Sequence, residues 1–220
     1  MSRDRGSETE FEQTLVDRLK LLGYRHQLGT EIERPLDEVV FREVLRTELA
    51  RRYADLPPRT LDETVARIAR PEGVDPLHRN LHFHRVITRG IEVSFERKVG
   101  KRTHVEHRHV HPIDFKNPAN NDFRVINQLP ITGRNPRRPD VILYVNGLPL
   151  VVMELKNPYD EKPTVKHAYN QIQHYTVDIP QLFDFNAVCV ISDGNETLHG
   201  VHTATMDWYA AWKSIDGLMI

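Results

Sequence analysis

The chain has 220 residues, of which 39% are hydrophobic and 28% are charged, and its 30 Lys and Arg residues nearly balance its 31 Asp and Glu residues. This length fits one large α/β domain, or one domain with a helical appendage, and the composition is that of an ordinary soluble globular protein. The single cysteine, Cys189, excludes an internal disulfide. The sequence has no membrane-length apolar run and no signal-peptide pattern, so we expect a cytoplasmic protein with no membrane partner.

The amino-terminal segment predicts a short disordered stretch and then an amphipathic helix. Residues 1–6 show no pattern, and from Ser7 the apolar residues follow helical spacing until Gly23 ends the run. Ser7 is the expected cap of this helix. Glu8 and Glu12 lie on one face, and the plain interpretation is a solvated acidic first turn that the helix dipole favours.

The next region predicts three helices without a catalytic constellation, and we interpret residues 37–89 as a helical insertion. Pro57 and Pro58 separate the first of these helices from the second, which a Thr-x-x-Glu capping box opens. The predicted helices are residues 37–53, the segment from Thr60 to about Ala69, and Leu77 to Thr88.

From Ile91 the hydrophobic period changes to two, which predicts strands on both sides of Gly100 and again from Phe123 to Leu129. Histidines recur at spacing two in this region and share a face. A zinc site is one interpretation, but no Cys or carboxylate stands at a familiar zinc-ligand spacing, which favours an exposed polar face. Two basic groups are candidates for local contact with nucleic acid, although such groups are more often solvated turns. The histidines are His107, His109 and His111, and the basic groups are Lys98, Lys101 and Arg102, and Arg134, Arg137 and Arg138.

The segment from Arg137 to Lys156, RRPDVILYVNGLPLVVMELK, is the most informative part of the sequence. Two apolar runs, typical of strands buried on both faces, are separated by Asn-Gly, a strong hairpin signal. Asp140, Glu154 and Lys156 therefore lie at the open end of a buried hairpin, where charge is costly without a partner. A divalent cation such as Mg²⁺ is a suitable partner for the two carboxylates. Lys156 shares the strand face of Glu154 because strand side chains alternate.

The register of this hairpin gives a sharper expectation. With a plain two-residue loop at Asn146 and Gly147, Asp140 would face Met153, and the carboxylates would point to opposite sides of the sheet. A shared cation requires Asp140 on the face of Glu154. We therefore predict either an odd-numbered loop centred on Gly147, with positive φ there, or a bulge that changes the parity of one strand.

After Lys156, the sequence predicts a helix from Val165 to Val177, a buried strand from Asn186 to Ser192 and a last helix from Thr205 to Ile215. Gln171 and Tyr175 stand four residues apart on the first of these helices and project from one face. We expect both to point toward the Glu154 end of the hairpin.

Several of these segments together resemble the amino-terminal domain of the restriction (R) subunit of type I restriction-modification enzymes, within the Pro-Asp…(Asp/Glu)-x-Lys nuclease superfamily. They are the segments SETEFEQTLVDRLKLLGY, HPIDFKNPANNDFRVINQ, RRPDVILYVNGLPLVVMELKNP, QIQHY and VCVISDGNE. The resemblance implies an α/β, restriction-endonuclease-like fold with a mixed central sheet flanked by helices. The endonuclease domain would span residues 7–220, with residues 91–215 as the sheet core and its flanking helices.

The resemblance also implies functional roles. Asp140 and Glu154 would hold Mg²⁺, or Mn²⁺, and Lys156 would be the catalytic lysine. Gln171 and Tyr175 match a Gln-x-x-x-Tyr motif that positions the site or contacts DNA. A glutamate of the first helix is a recurrent extra metal ligand in the superfamily, which gives a second interpretation of Glu12, ahead of Glu8.

The partners that the resemblance implies are double-stranded DNA, the modification and specificity subunits, and a helicase-like motor downstream in a longer chain. ATP would serve that motor, because the 220 residues contain no phosphate-binding loop of the GxxxxGK[ST] type. The implied function is Mg²⁺-dependent cleavage of duplex DNA without sequence specificity of its own. The alternative is an assembly module that retains the fold but has lost the chemistry, and docks the motor and modification subunits.

Overall fold

The structure is a computed structural model that describes residues 4–156 and 164–213. Its helices are α1 (Asp4–Leu21), α2 (Arg42–Arg52), α3 (Pro58–Ile68), α4 (Pro76–Arg89), α5 (Val165–Asp178) and α6 (Pro180–Phe183). Its strands are β1 (Arg25–Leu28), β2 (Ile91–Val99), β3 (Arg102–Val110), β4 (Phe123–Asn127), β5 (Val141–Val145), β6 (Leu148–Leu155), β7 (Val188–Ser192), β8 (Thr197–Gly200) and β9 (Ala210–Ala211). Within this described part, none of the helices combines the length and hydrophobicity needed to cross a lipid bilayer.

The chain divides into two compact units. The first comprises Met1–Val39, Phe123–Tyr144 and Pro149–Ile220, and the second comprises Val40–Asp122 and Val145–Leu148. The candidate site residues all belong to the first unit. The predicted insertion of residues 37–89 falls mostly in the second unit.

A seven-stranded sheet with the order β1-β4-β5-β6-β7-β8-β9 forms the centre of the fold. Strand β1 is parallel to β4 and β6 is parallel to β7, whereas β8 is antiparallel to both β7 and β9. The described sheet is therefore mixed and is flanked by helices. This architecture confirms the predicted fold class.

Helices α1 and α5 cover opposite faces of the β5–β6 hairpin. On one face, Leu155 belongs to a hydrophobic cluster with Val16 and Leu19 of α1. On the other, the neighbouring residue Glu154 accepts a hydrogen bond from Tyr175 of α5. Because side chains alternate along a strand, this arrangement places the acidic residue and the apolar core on different sides of β6.

The hairpin turn has two residues, as the sequence indicates. The two strands are nevertheless not in the register that a regular two-residue turn would give them. Asn146 and Gly147 both have positive φ, 51° and 80°, which is typical of a type I′ turn and confirms the positive φ predicted for Gly147. The hydrophobic cluster contains odd-numbered residues of both strands, namely Val141, Leu143, Val151, Met153 and Leu155. A two-residue turn with unbroken register would pair odd residues with even ones. The shared cluster thus indicates the bulge alternative of our prediction.

The second unit contains α2, α3, α4 and a hairpin of β2 and β3, which forms a two-stranded sheet of its own. Helix α3 begins at Pro58, with Pro57 as the cap residue and no side-chain cap, so the predicted Thr60–Glu63 capping box is wrong. Proline at the first helical position needs no hydrogen-bond acceptor, which explains this start. Helix α4 begins earlier than predicted, where Asp75 accepts a hydrogen bond from the backbone N–H of His78.

Two other predicted elements differ from the structure at the ends of the chain. Helix α1 already includes residues 4–6, so Ser7 lies inside the helix and is not its cap, whereas the chain leaves the helix near Gly23 (φ 95°) as predicted. The predicted helix at Thr205 to Ile215 is wrong over the described residues. There, one turn of 3-10 helix leads into β9, because Trp212 N–H donates to the Thr197 carbonyl (2.8 Å) and extends the sheet.

Candidate active site

Glu154 is the most buried acidic group of the candidate site. It lies one residue before the end of β6 and is 2% exposed. Its Oε1 accepts a hydrogen bond from Lys156 Nζ at 2.6 Å, and its Oε2 accepts one from Tyr175 Oη at 2.9 Å. The Lys156 side chain is 24% exposed, so its ammonium group lies at the border between the buried carboxylate and solvent. The structure therefore brings Glu154 and Lys156 together, with Tyr175 as a third member.

Asp140 joins this group from the residue before β5. Its Oδ2 accepts a hydrogen bond from the backbone N–H of Leu155 at 2.8 Å, which binds the start of β5 to the end of β6. The Asp140 backbone carbonyl accepts from Gln128 N–H at 2.9 Å. The aspartate is thus held by backbone groups on both neighbouring strands, and its carboxylate lies beside Glu154, whose pKa it raises.

Burial and a neighbouring carboxylate disfavour the ionised form of Glu154. Burial is the main cause that raises the pKa of the Glu154 carboxyl to about 8, and the negative charge of Asp140 adds to it. The Lys156 ammonium and the Tyr175 hydroxyl act in the opposite direction but do not cancel these effects. The ionised form of the buried Glu154, beside the half-buried Asp140, is unfavourable unless a positive charge compensates it.

The Gln-x-x-x-Tyr motif of α5 acts as a support for Glu154. Tyr175 is 2% exposed and its hydroxyl donates to Glu154 Oε2, while the Gln171 side chain lowers the pKa of that hydroxyl. The four-residue spacing therefore places Gln171 one helical turn before the phenol that contacts the carboxylate. Burial and the nearby Glu154 raise the pKa of Tyr175 far above its ordinary value, which keeps the hydroxyl protonated as a donor.

Glu12 lies near the site but is held by amides. It is 8% exposed, and its two carboxylate oxygens accept hydrogen bonds from Asn127 Nδ2 (2.7 Å) and Gln128 Nε2. The same Gln128 Nε2 is 3.5 Å from Asp140 Oδ1, so the amide connects the two acids. Sequence reasoning missed Asn127 and Gln128. The signal available in the sequence was a pair of amides at the end of an apolar strand. In the structure, Gln128 adopts a positive φ of 54°, which is unusual for a residue other than glycine.

The donors fit a single hard cation held by few protein groups. Among the described residues, no group of three or more His, Cys, Asp or Glu side chains is arranged to hold a metal ion. Asp140 and Glu154 are neighbouring carboxylates that a metal could share. Mg²⁺ is commonly bound by one or two carboxylates together with water and substrate phosphate, so a pair suffices. The side chain of Glu8 lies outside the described residues.

The histidines His107, His109 and His111 do not form a group that could hold a metal ion in the described part of the chain, which contradicts the zinc interpretation. His107 pairs with Glu92 through Nδ1 at 3.1 Å, and His109 Nε2 is hydrogen-bonded to the Arg89 carbonyl. His111 lies beyond the end of β3, where its ring contacts that of His109. These contacts describe a polar surface of the hairpin.

Comparison with known proteins supplies the family. The model of the type I restriction enzyme R protein N terminus matches residues 5–208. The chain belongs to this family. It is 32% identical over 220 residues to the type I restriction enzyme HindI endonuclease subunit of Haemophilus influenzae. This match covers 96% of the chain and 20% of the HindI subunit.

Two further relatives have similar names. The putative type I restriction enzyme MjaIXP endonuclease subunit of Methanocaldococcus jannaschii is 29% identical over 216 residues, covering 93% of the chain and 20% of that protein. The EcoprrI endonuclease subunit of Escherichia coli is 32% identical over 120 residues, covering 50% of the chain and 37% of that protein. The chain therefore spans about a fifth of the length of the two relatives that match it almost throughout.

Proposed function

We propose that this R-protein N-terminal domain is a Mg²⁺-dependent endonuclease that hydrolyses phosphodiester bonds of duplex DNA without sequence specificity of its own. The observation that carries the proposal is the convergence of Asp140, Glu154 and Lys156 at the open end of the buried β5–β6 hairpin. The buried Glu154 beside the half-buried Asp140 is costly to the fold, and a well-packed apolar group would be less costly at position 154.

Each residue has a distinct part in the proposed reaction. Asp140 and Glu154 would hold Mg²⁺, or Mn²⁺, which when bound polarises the phosphate and makes water a better nucleophile. Lys156 would stabilise the negative charge that develops on the phosphate in the transition state. Tyr175, supported by Gln171, would keep Glu154 in position, and the Leu155 N–H would do the same for Asp140.

We further propose that the domain works within a longer protein and a larger assembly. ATP would be used by a helicase-like motor outside these 220 residues, and target recognition would belong to a specificity subunit that acts with modification subunits. The names of the relatives as type I restriction endonuclease subunits support this context. In an assembly module the carboxylate pair would be dispensable, and this provides the test.

The test compares Asp140→Asn and Lys156→Ala with the wild-type protein in a supercoiled-plasmid nicking assay with Mg²⁺ or Mn²⁺. We expect each substitution to slow nicking by about a thousandfold or more, because metal catalysis and charge stabilisation each contribute several kcal/mol. Asp17→Asn on the exposed surface of α1 is the matched control and should leave nicking unchanged. Far-ultraviolet circular dichroism checks folding. Equal nicking by all three variants would favour the assembly module.

A further inference from the structure

The segment that leads into Asp140 forms a tight, fixed loop. Ile131 and Arg137 exchange backbone hydrogen bonds in both directions at 2.8 Å, which closes the loop between them. The carbonyl of Thr132 accepts from Gln181 Nε2 (2.8 Å), and its N–H donates to the Leu36 carbonyl (2.9 Å). The side chains of this loop therefore start from a defined backbone.

Asp178, the last residue of α5, is the main anchor of the loop. Its carboxylate accepts hydrogen bonds at 2.6 Å from Asn135 Nδ2 and from Arg137 Nε, and its backbone carbonyl accepts from Arg134 N–H at 2.7 Å. These bonds, first that of Asn135 and then that of Arg137, lower the pKa of Asp178. A Cβ atom on Gly133 would lie 2.2 Å from the Asp178 carbonyl oxygen, so the loop is in direct backbone contact with the helix.

The two consecutive arginines of the loop have different surroundings. The guanidinium of Arg137 is bound to Asp178, whereas Arg138 is exposed and lines a cleft of about 530 Å³ together with Glu12 and Asp140. Alternating directions of successive side chains in an extended chain explain this difference. The charged residues that line this cleft are Arg138 and the two acids Glu12 and Asp140. Arg138 lies two positions before Asp140 in the chain.

We propose that Arg138 binds a phosphate of the duplex adjacent to the bond that is cleaved, and so positions the DNA backbone over Asp140. This proposal rests on the proposed nuclease function. The carboxylates of the cleft repel a polyanion, and a guanidinium at its border supplies the opposite charge. Arginine suits this task because its planar fork can form two parallel hydrogen bonds to one phosphate. The Asp178 anchor would hold the backbone of Arg138 in place without neutralising its charge.

The chain provides a matched control in the same loop. Arg134 is exposed and has the same charge, but it is not among the residues that line the cleft. A general electrostatic attraction between the loop and DNA would involve both arginines alike. A phosphate site at the cleft predicts that Arg138 has the larger effect.

The experiment measures binding of a fluorescent duplex to the purified protein with Ca²⁺ in place of Mg²⁺, as a function of salt. We expect Arg138→Gln to raise the Kd about fivefold to tenfold and to reduce the slope of log K against log salt by about 0.9, the value for one phosphate contact. Arg138→Lys should restore the slope while recovering only part of the affinity. Arg134→Gln should change the slope by less than half as much.

Nicking of plasmid DNA by the same variants separates the two proposals. If Asp140→Asn abolishes nicking and Arg138→Gln raises KM more than it lowers kcat, both proposals are supported. Should Asp140→Asn leave nicking intact, the nuclease proposal fails, and the salt slopes still decide the role of Arg138. A slope for Arg138→Gln equal to that of the wild-type protein, equal effects of the two arginines, or no binding by the wild-type protein would each overturn the proposal. Thermal melting verifies that every variant is folded.

Discussion

Replacing Glu154 by glutamine should stabilise the metal-free protein, and this effect should grow with pH. Burial and Asp140 raise the pKa of Glu154 from an ordinary 4.5 to about 8. Between these values the folded state binds more protons than the unfolded state, so the free energy of unfolding falls as pH rises, by about 1.4 kcal/mol per pH unit. At pH 7.5 this unfavourable contribution reaches about 4 kcal/mol, most of it the free energy of keeping Glu154 protonated in the folded state.

The net gain from Glu154→Gln is smaller than this value. The pKa of about 8 already includes the donors Lys156 and Tyr175. The side-chain amide of the variant, however, brings an NH2 group beside them and gives up at least one hydrogen bond, at a cost of about 0.5–1.5 kcal/mol. Lys156 is partly exposed and can turn to water, and the amide oxygen can still accept from Tyr175. We therefore expect a stabilisation of about 1–3 kcal/mol at pH 7.5, together with the loss of nicking.

The assay is urea denaturation in the presence of a chelator at pH 5.5 and pH 7.5. The difference in free energy of unfolding between Glu154→Gln and wild type should increase by about 2–3 kcal/mol over this interval, since other titrating groups cancel in the comparison. Asp17→Asn should show no increase, because the pKa of Asp17, lowered by its hydrogen bond from Lys20, keeps it ionised throughout. A Glu154→Gln difference that is the same at both pH values would refute the reasoning.

Three further predictions follow from contacts described above. Tyr175→Phe removes the buried donor to Glu154 (2.9 Å), so nicking should slow by about tenfold or more, its pH optimum should rise and Tm should fall, because the unpaired acceptor costs about 1–3 kcal/mol. Gly147→Ala should cost about 1–3 kcal/mol in urea denaturation, because Gly147 has φ +80° and its Cβ would lie 2.5 Å from a carbonyl oxygen; an unchanged midpoint contradicts this. Hydrogen bonds from Asn135 and Arg137 lower the pKa of Asp178 below its ordinary value of 3.8. Ionised Asp178 therefore stabilises the fold above pH 3.8, and this stabilisation is lost as the pH falls further. Asp178→Ala should accordingly lower Tm more at pH 7 than at pH 3.

The sequence predicted the parts of this fold that depend on local pattern. The continuous apolar runs around Asn146 and Gly147 have few alternatives to a buried hairpin. The spacing between Gln171 and Tyr175 is fixed by helix geometry, and in the structure Tyr175 donates a hydrogen bond to Glu154. Short-range rules therefore sufficed for the groups that lie along one strand or one helix.

Contacts between distant segments could not be predicted in this way. The amide clamp on Glu12 comes from Asn127 and Gln128, more than a hundred positions away in the chain. The aromatic residues near the end of the chain have helical spacing, but the ring of Tyr209 packs against Gly200 and that of Tyr169, which favours an added edge strand. In both cases a tertiary partner decided the outcome over the local preference.

The hairpin turn has a consequence for chemical ageing. In flexible chains, an asparagine before glycine loses its side-chain amide readily, because the glycine nitrogen can attack the side-chain carbonyl. Here Asn146 is 0% exposed; its Oδ1 accepts from Asp122 N–H (2.7 Å), and its Nδ2 donates to the Pro112 carbonyl (2.8 Å). These bonds hold the carbonyl away from that attack for as long as the turn is folded. Deamidation at Asn146, read by mass spectrometry in stored or heated samples, would therefore record how often this turn has opened.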